Sequence, residues 1–359
     1  MEHAFLKCYP SVFVVGREYE ILVTAKTNGI ICVRADGEAY YEENSGVLSS
    51  EKSYAKIRLP QEALDAAKAY EIVFRETVER KAYFSEFKEE QTARFAFKPL
   101  IKTEDIRIYQ VADVHYHFER ALLTARYFGE DTDLFVVNGD IGEVETEENY
   151  FEVCQFVGEL AKGKIPVILA RGNHDARGKL AERYTDYFPC NGKATYYDFR
   201  IGCLQGVVLD CGEDKVDESA ALGGADLFAP YRRKQTAFLR GLDFGNGDFS
   251  FAVCHISPVT TSYWKERDYI IEKDVYADWN AELERLGIAF LLCGHLHKAI
   301  YMPPNGEYSL LPHKYPVITG SAWEGEDFIG TAVTVYNDRV EIAFTNGALQ
   351  TVEKHILRR

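Results

Sequence analysis

No two of the eight cysteines stand at CxxC spacing, no apolar run approaches the length of a membrane-spanning helix, and basic residues do not outnumber acidic ones. The first absence argues against a zinc ribbon or a dithiol redox motif. Cys203, Cys254 and Cys293 fall inside apolar strand-like runs, so reduced, buried thiols in a cytoplasmic protein are expected. The second absence gives no reason to expect a membrane partner. The segment Met1 to Cys8 also lacks the basic start, apolar stretch and small-residue cleavage site of a signal peptide. The third absence concerns nucleic acid. With 41 Lys and Arg against 56 Asp and Glu, the formal charge of -15 opposes binding to a phosphate backbone, and nucleic acid is an unlikely partner. There is no internal repeat, no low-complexity segment and no long coiled-coil heptad run. At 47% hydrophobic and 27% charged residues, the composition is that of an ordinary folded protein.

The 359 residues exceed most single cores, which predicts one large domain and a smaller one. Up to about Pro99, short β-type runs alternate with turn signals: Val12 to Val15, Ile21 to Ala25, Ile30 to Val33, Tyr54 to Leu59, Tyr70 to Arg75 and Arg94 to Phe97. Helical periodicity is scarce there. Residues 1–100 are therefore expected to form a small all-β sandwich of the immunoglobulin or fibronectin type, acting in packing or recognition. From Ile106 the pattern becomes strand, polar loop, helix, the mark of βαβ units, and residues 101–359 are expected to form a layered α/β domain. A hairpin turned at Ile201-Gly202, helices over Tyr231 to Leu242 and Ala281 to Leu286, and a closing hairpin at Asn337-Asp338 complete the expectation.

Five strand-like segments end in polar residues of one chemical kind. These are Asp113 and His115, then Asp140, then Asn173 and His174, then His255, then His295 and His297. Ligands in open α/β sheets sit beyond the carboxyl ends of strands, and six of the nine histidines (115, 117, 174, 255, 295 and 297) fall in these segments. Imidazole, carboxylate and amide oxygen without thiolate suit Mn, Fe, Zn or related ions rather than a structural Cys-ligated zinc. Seven candidate ligands exceed the needs of one tetrahedral ion. A carboxylate such as Asp140 has two oxygens with which to bridge a pair about 3.5–4 Å apart.

The order Asp113-x-His115, Gly139-Asp140, Gly172-Asn173-His174-Asp175, His255 and Gly294-His295-x-His297 resembles the calcineurin-like metallophosphoesterase superfamily across residues 104 to 345. The resemblance implies a four-layer α/β/β/α sandwich and two metal ions of undetermined identity among Mn, Fe and Zn. It implies that Asp113, His115 and His297 hold one ion, Asn173, His255 and His295 the other, and that Asp140 bridges them. A metal-bridging hydroxide would attack phosphorus in line. His174 would protonate the leaving oxygen or stabilise the transition state, with Asp175 orienting it. The implied activity is hydrolysis of a small-molecule phosphomonoester or phosphodiester. The alternatives are a catalytically silent scaffold of the same fold and a nuclease of the same superfamily. Purple acid phosphatases also carry an N-terminal β-sandwich, but Asp140 is followed by Ile141-Gly142-Glu143 where their Tyr ligand is expected, so the resemblance is to a non-purple relative.

Several residues admit more than one reading from sequence alone. Glu143 supports the site, starts a helix or is merely solvated. His117 meets substrate phosphate, supports a ligand from behind or lies at the surface. Arg171 offsets substrate charge or forms a structural ion pair. Tyr116, Tyr263 and Trp264 stack on a substrate or pack in the core. Arg232-Arg233-Lys234 is expected to be a solvated helix face.

Overall fold

A computed structural model describes residues 4–220, 223–224, 227–245, 249–260, 271–324 and 327–358. Two sheets lie face to face with helices outside. In the first, the strands Ile106–Val111, Leu134–Asn138 and Pro166–Ala170 are parallel neighbours. The hairpin Asp327–Val335 and Arg339–Thr345 continues that sheet beyond Ile106–Val111. A last strand, Thr351–Arg358, was not expected from the sequence and forms the edge. The second sheet runs Tyr197–Ile201, Leu204–Leu209, Phe249–Cys254, Leu291–Cys293, Val317–Thr319 and Ile300–Met302. The expected hairpin at Ile201-Gly202 is its first pair.

Strand periodicity creates the layers. Ile106, Ile108, Leu134, Val136 and Ile168 face the core between the sheets, where they meet Val208, Phe251, Val253 and Leu292. The alternate residues Val111, Phe135, Val137 and Val167 face the helices Phe118–Thr124 and Glu147–Ala161. On the far side, Leu209, Ala252 and Leu291 pack against Leu239, Tyr276, Trp279 and Leu283 of the helices Phe228–Arg240 and Lys273–Arg285. The resulting order is α/β/β/α.

The N-terminal sandwich is present, and its first sheet is continuous with the first sheet of the α/β part. Ser11–Val15 pairs in parallel with Pro166–Ala170, with Val12 opposite Pro166, and Glu18–Thr24 and Tyr54–Pro60 follow outward. The strands Gly29–Ala35 and Ala69–Glu79 belong to a separate five-stranded sheet. Ile31, Val33, Ile72 and Phe74 of that sheet share one core with Val12, Val14 and Phe199. Hydrogen bonds and core therefore cross the expected boundary near residue 100. Every residue of Ser11–Val15 is buried, as in an internal strand covered on both faces.

All eight cysteines are free, and seven are buried. No described helix is long and apolar enough to cross a membrane.

Shared hydrogen bonding and a shared core predict one cooperative unfolding transition for both regions. Phe13 is fully buried against the helix layer, and Phe13→Ala is expected to lower the stability of the whole chain by about 3–5 kcal/mol. Urea unfolding followed at a probe in each region checks this. Two separated transitions would disprove it.

Candidate metal centre

The parallel strands of both sheets end on one side of the molecule, and the polar loops meet there. Asp113 N donates to Gly139 O and His115 N to Asp140 O, each at 3.0 Å, so the loop after Ile106–Val111 is sewn to the next. Asp113, His115, Asp140, His295 and His297 all have φ between 43° and 72°, in the left-handed region. Such a backbone costs about 1–2 kcal/mol per non-glycine residue and persists only where the surroundings over-determine it. Two glycines make the close approach possible. A Cβ on Gly172 would collide with the Asp140 carboxylate, and one on Gly139, at φ +75°, would come within 2.6 Å of His255 Nδ1.

The side chains form two clusters with one shared member. Asp113, His115, Asp140 and His297 present ligand atoms within 4.8 Å of one another, and so do Asp140, His255 and His295. Asn173 joins the second cluster through Oδ1, 3.0 Å from His295 Nδ1. All seven residues expected from the sequence as ligands are thus brought together, with Asp140 common to both groups. His115 Nε2 and His297 Nε2 lie 3.2 Å apart. His295 N donates to Asp113 Oδ1 at 2.8 Å, which ties the loops of the two sheets. His255 Nδ1 donates to the Asn138 carbonyl at 2.6 Å and turns Nε2 toward the carboxylates. That buried Nε2 is 3.2 Å from Asp140 Oδ2 and 3.7 Å from Asp113 Oδ1, yet makes no hydrogen bond. Oxygen and imidazole donors crowded around two carboxylates fit a pair of cations.

Electrostatics agree. Burial pushes Asp113 up to about 8 against the pull of His255. Burial acts the same way on Asp140, but His255 and His174 overcome it and hold that carboxyl below its usual range. His255 is raised to about 10, because Asp140 and Asp113 outweigh the burial that opposes its charge. Burial lowers His115 to about 4 and His295 to about 3, and it lowers His297 too. Three imidazoles are therefore kept neutral, the form that binds metal.

The expected pairing of His174 with Asp175 is not what the structure holds, and this is a correction. The Asp175 carboxylate accepts from the main-chain N–H groups of Asp140, Ile141, Gly142 and Gly172, so it orients loops rather than the imidazole. Glu143 takes the place at His174, with Oε1 2.8 Å from Nδ1. The other side of His174 meets Arg177, whose NH1 lies 3.0 Å from Nε2 and 3.4 Å from Nδ1. Sequence reasoning did not find Arg177, nor Glu213, which grips its guanidinium at 2.6 and 2.7 Å. It also missed Gln110 and Asn138. Their buried amides join each other and the carbonyls of Leu292, Cys293 and Gly320 behind the site.

The remaining candidates divide clearly. Arg171 is in a buried ion pair with Asp210 at 2.8 Å, the structural reading. Arg232 corrects the expectation of a solvated face. It is buried and bonded to the Cys211 and Glu213 carbonyls and to Glu272. His117 is exposed outside both clusters, and the half-exposed Tyr116 ring covers Gly142. Tyr263 and Trp264 lie outside the described residues.

Comparison with known proteins settles the kinship. A family model described as calcineurin-like phosphoesterase matches residues 106–299, over half of the sequence. The chain belongs to the calcineurin-like phosphoesterase family. Among solved structures it is similar to the purple acid phosphatase PPD1 from yellow lupin (Lupinus luteus) seeds, at 11% identity and a TM-score of 0.61, covering 100% of this chain and 75% of that one. It is also similar to PhoD, at 10% identity and a TM-score of 0.58, covering 100% and 90%. At these identities the likeness is one of fold. No curated protein matches the chain in sequence.

Two predictions concern the centre of this family member. Gly172→Ala must displace Asp140 and is expected to abolish binding of the second ion; metal content of the purified variant checks it. The proton that the carboxylates place on His255 must leave when a cation arrives. Metal affinity should therefore rise with pH below about 10, about tenfold per unit for each proton released. Calorimetry in buffers of different ionisation heat measures that release, and a pH-independent affinity would refute it.

Proposed function

We propose that this family member is a dimetal phosphohydrolase acting on small phosphomonoesters or phosphodiesters. The observation that carries the reading is the pair of ligand clusters sharing Asp140. Asp113, His115 and His297 would hold one ion and Asn173, His255 and His295 the other, with Asp140 between them. Two cations held there supply Lewis-acid activation of water and neutralise charge on a phosphoryl oxygen.

The chain's own residues have distinct tasks. Asn138 O fixes the tautomer of His255 through Nδ1, and Asn173 Oδ1 does the same for His295. Asp140 Oδ1 accepts from His174 N at 2.8 Å, which sets the imidazole at the rim of the cluster. Glu143 holds His174 at Nδ1, so Nε2 is the atom that gives a proton to the departing oxygen. The formal charge of -15 supports a small substrate over a polynucleotide.

Asp140→Asn is expected to lose both metal and turnover. His174→Ala is expected to keep two ions and lose about 10²–10⁴ in rate. The test is a panel of aryl monoesters, diesters and nucleotides on metal-loaded protein, with ion content measured beside it. Wild type that binds two ions and hydrolyses nothing on the panel would favour the silent scaffold. Loss of an ion in His174→Ala would show it to be a ligand.

A further inference from the structure

Arg177 is tied to carboxylates through two of its three nitrogens and meets an imidazole with the third. Nε and NH2 form a fork on the Glu213 carboxylate, at 2.7 and 2.6 Å, and NH2 also reaches Asp214 Oδ1 at 3.5 Å. Among the described residues, NH1 lies within hydrogen-bond distance only of the ring nitrogens of His174, and once Nε2 carries the proton used in the reaction it no longer accepts from NH1. An imidazole is no counter-ion, so the guanidinium has donor capacity aimed along the Nε2 edge of His174, whose Nδ1 Glu143 holds. The fork is rigidly supported. Glu213 is buried, and its carbonyl accepts from NH2 of the buried Arg232 at 2.6 Å. Arg232 also bonds the Cys211 carbonyl and Glu272, which pins both ends of the Cys211 to Glu213 turn. Burying the Glu213 carboxylate under a partly exposed guanidinium beside a catalytic imidazole costs desolvation, and packing alone does not require it.

We propose that Arg177 is a substrate-contacting residue, with NH1 donating to the phosphoester oxygen that reaches His174 Nε2, and that Glu213 is the positioning residue that holds it there. The inference rests on the phosphohydrolase reading and deepens it. An oxygen within hydrogen-bond distance of Nε2 arrives beside a permanently charged guanidinium only 3.0 Å from that nitrogen. As the P–O bond breaks, its electron pair passes to the leaving oxygen and the proton comes from His174 Nε2. Arg177 keeps all its protons and stabilises the charge that develops before that transfer is complete. The gain is greatest for leaving groups that bear charge poorly, such as alkyl and unsubstituted aryl oxygens.

The experiment uses the full chain loaded with Mn(II), as wild type, Arg177→Met, Arg177→Lys and Glu213→Gln, with ion content measured for each. Arg177→Lys keeps the charge and guards against loss of fold, but an ammonium cannot grip Glu213 and reach the substrate oxygen together. Turnover is compared between phenyl phosphate and 4-nitrophenyl phosphate, and inorganic phosphate binding is measured by calorimetry. All variants should keep two ions. Arg177→Met and Arg177→Lys should lose about 10²–10³ in kcat on phenyl phosphate and markedly less on 4-nitrophenyl phosphate. Both should bind phosphate about tenfold more weakly. Glu213→Gln should show the same pattern at reduced size. Equal losses on the two esters, or phosphate affinity unchanged from wild type, would overturn the proposal. Wild type that hydrolyses neither ester counts against monoester hydrolysis instead, and the phosphate comparison then decides on Arg177. Absence of phosphate binding to wild type overturns the proposal as well.

Discussion

Asp175 carries a buried carboxylate that accepts from the N–H groups of Asp140 and Gly172 at 2.8 Å each, Ile141 at 3.1 Å and Gly142 at 3.4 Å. These donors lie in the loops that follow two adjacent parallel strands, where Asn138 pairs with Ala170. Past the last ladder bond the strands have no partner for such groups, and an unmet buried donor costs about 1–3 kcal/mol. One acidic side chain meets four of them. In doing so it holds Asp140 at φ +53°, with Oδ1 on His174 N and Oδ2 toward His255. Burial and the neighbouring Asp140 charge push Asp175 up to about 6, and the N–H donors pull it back toward ionisation. Every candidate ligand near Asp140 depends on this internal tie.

A second constraint fixes one sheet against the other. Asn138 closes its strand with a side chain that donates to Leu292 O across the inter-sheet core, and its own carbonyl accepts from His255. Gln110, one strand over, donates to Cys293 O at 3.1 Å. The His255 and His295 loops are thereby referred to the same strand end that carries Asp140. Two ligand clusters that each draw on loops of both sheets can share one carboxylate because these buried amides set the separation.

The ligands were legible in the sequence because their signal repeats. Apolar runs end five times in His, Asp or Asn, and the structure brings all seven of those candidates together. Companions that act across the chain carried no such mark. Asp175 follows His174 directly, so adjacency suggested a pair, but the 3₁₀ turn His174–Ala176 sends the carboxylate back to the main chain. Glu143 reaches His174 from 31 positions away. Arg232 did have a readable signal. With Gln235, Thr236 and Leu239 it forms a buried stripe at helical spacing, which the run of three basic residues obscured. The N-terminal strands were legible as strands. Their division between two sheets was not, because register across a sheet leaves little trace in local composition.

The charge pattern at the centre follows from what the chain withholds. Asp113 and Asp140 are taken out of water, and the main-chain N–H groups of His295 and His174 donate to them. Protein cations would neutralise the carboxylates permanently and seal the cleft. Neutral imidazoles at His115, His295 and His297 add nitrogen lone pairs beside the carboxylates, and the proton that these hold on His255 can leave when a cation arrives. Such a site gains most from a multivalent ion, which meets both carboxylates and imidazoles and keeps coordination positions for a ligand. The Arg177 guanidinium is held by Glu213 and set beside His174 instead. Fixed positive charge is thus placed at the rim, where it faces an arriving anion, and kept out of the cluster, where it would compete with the metal.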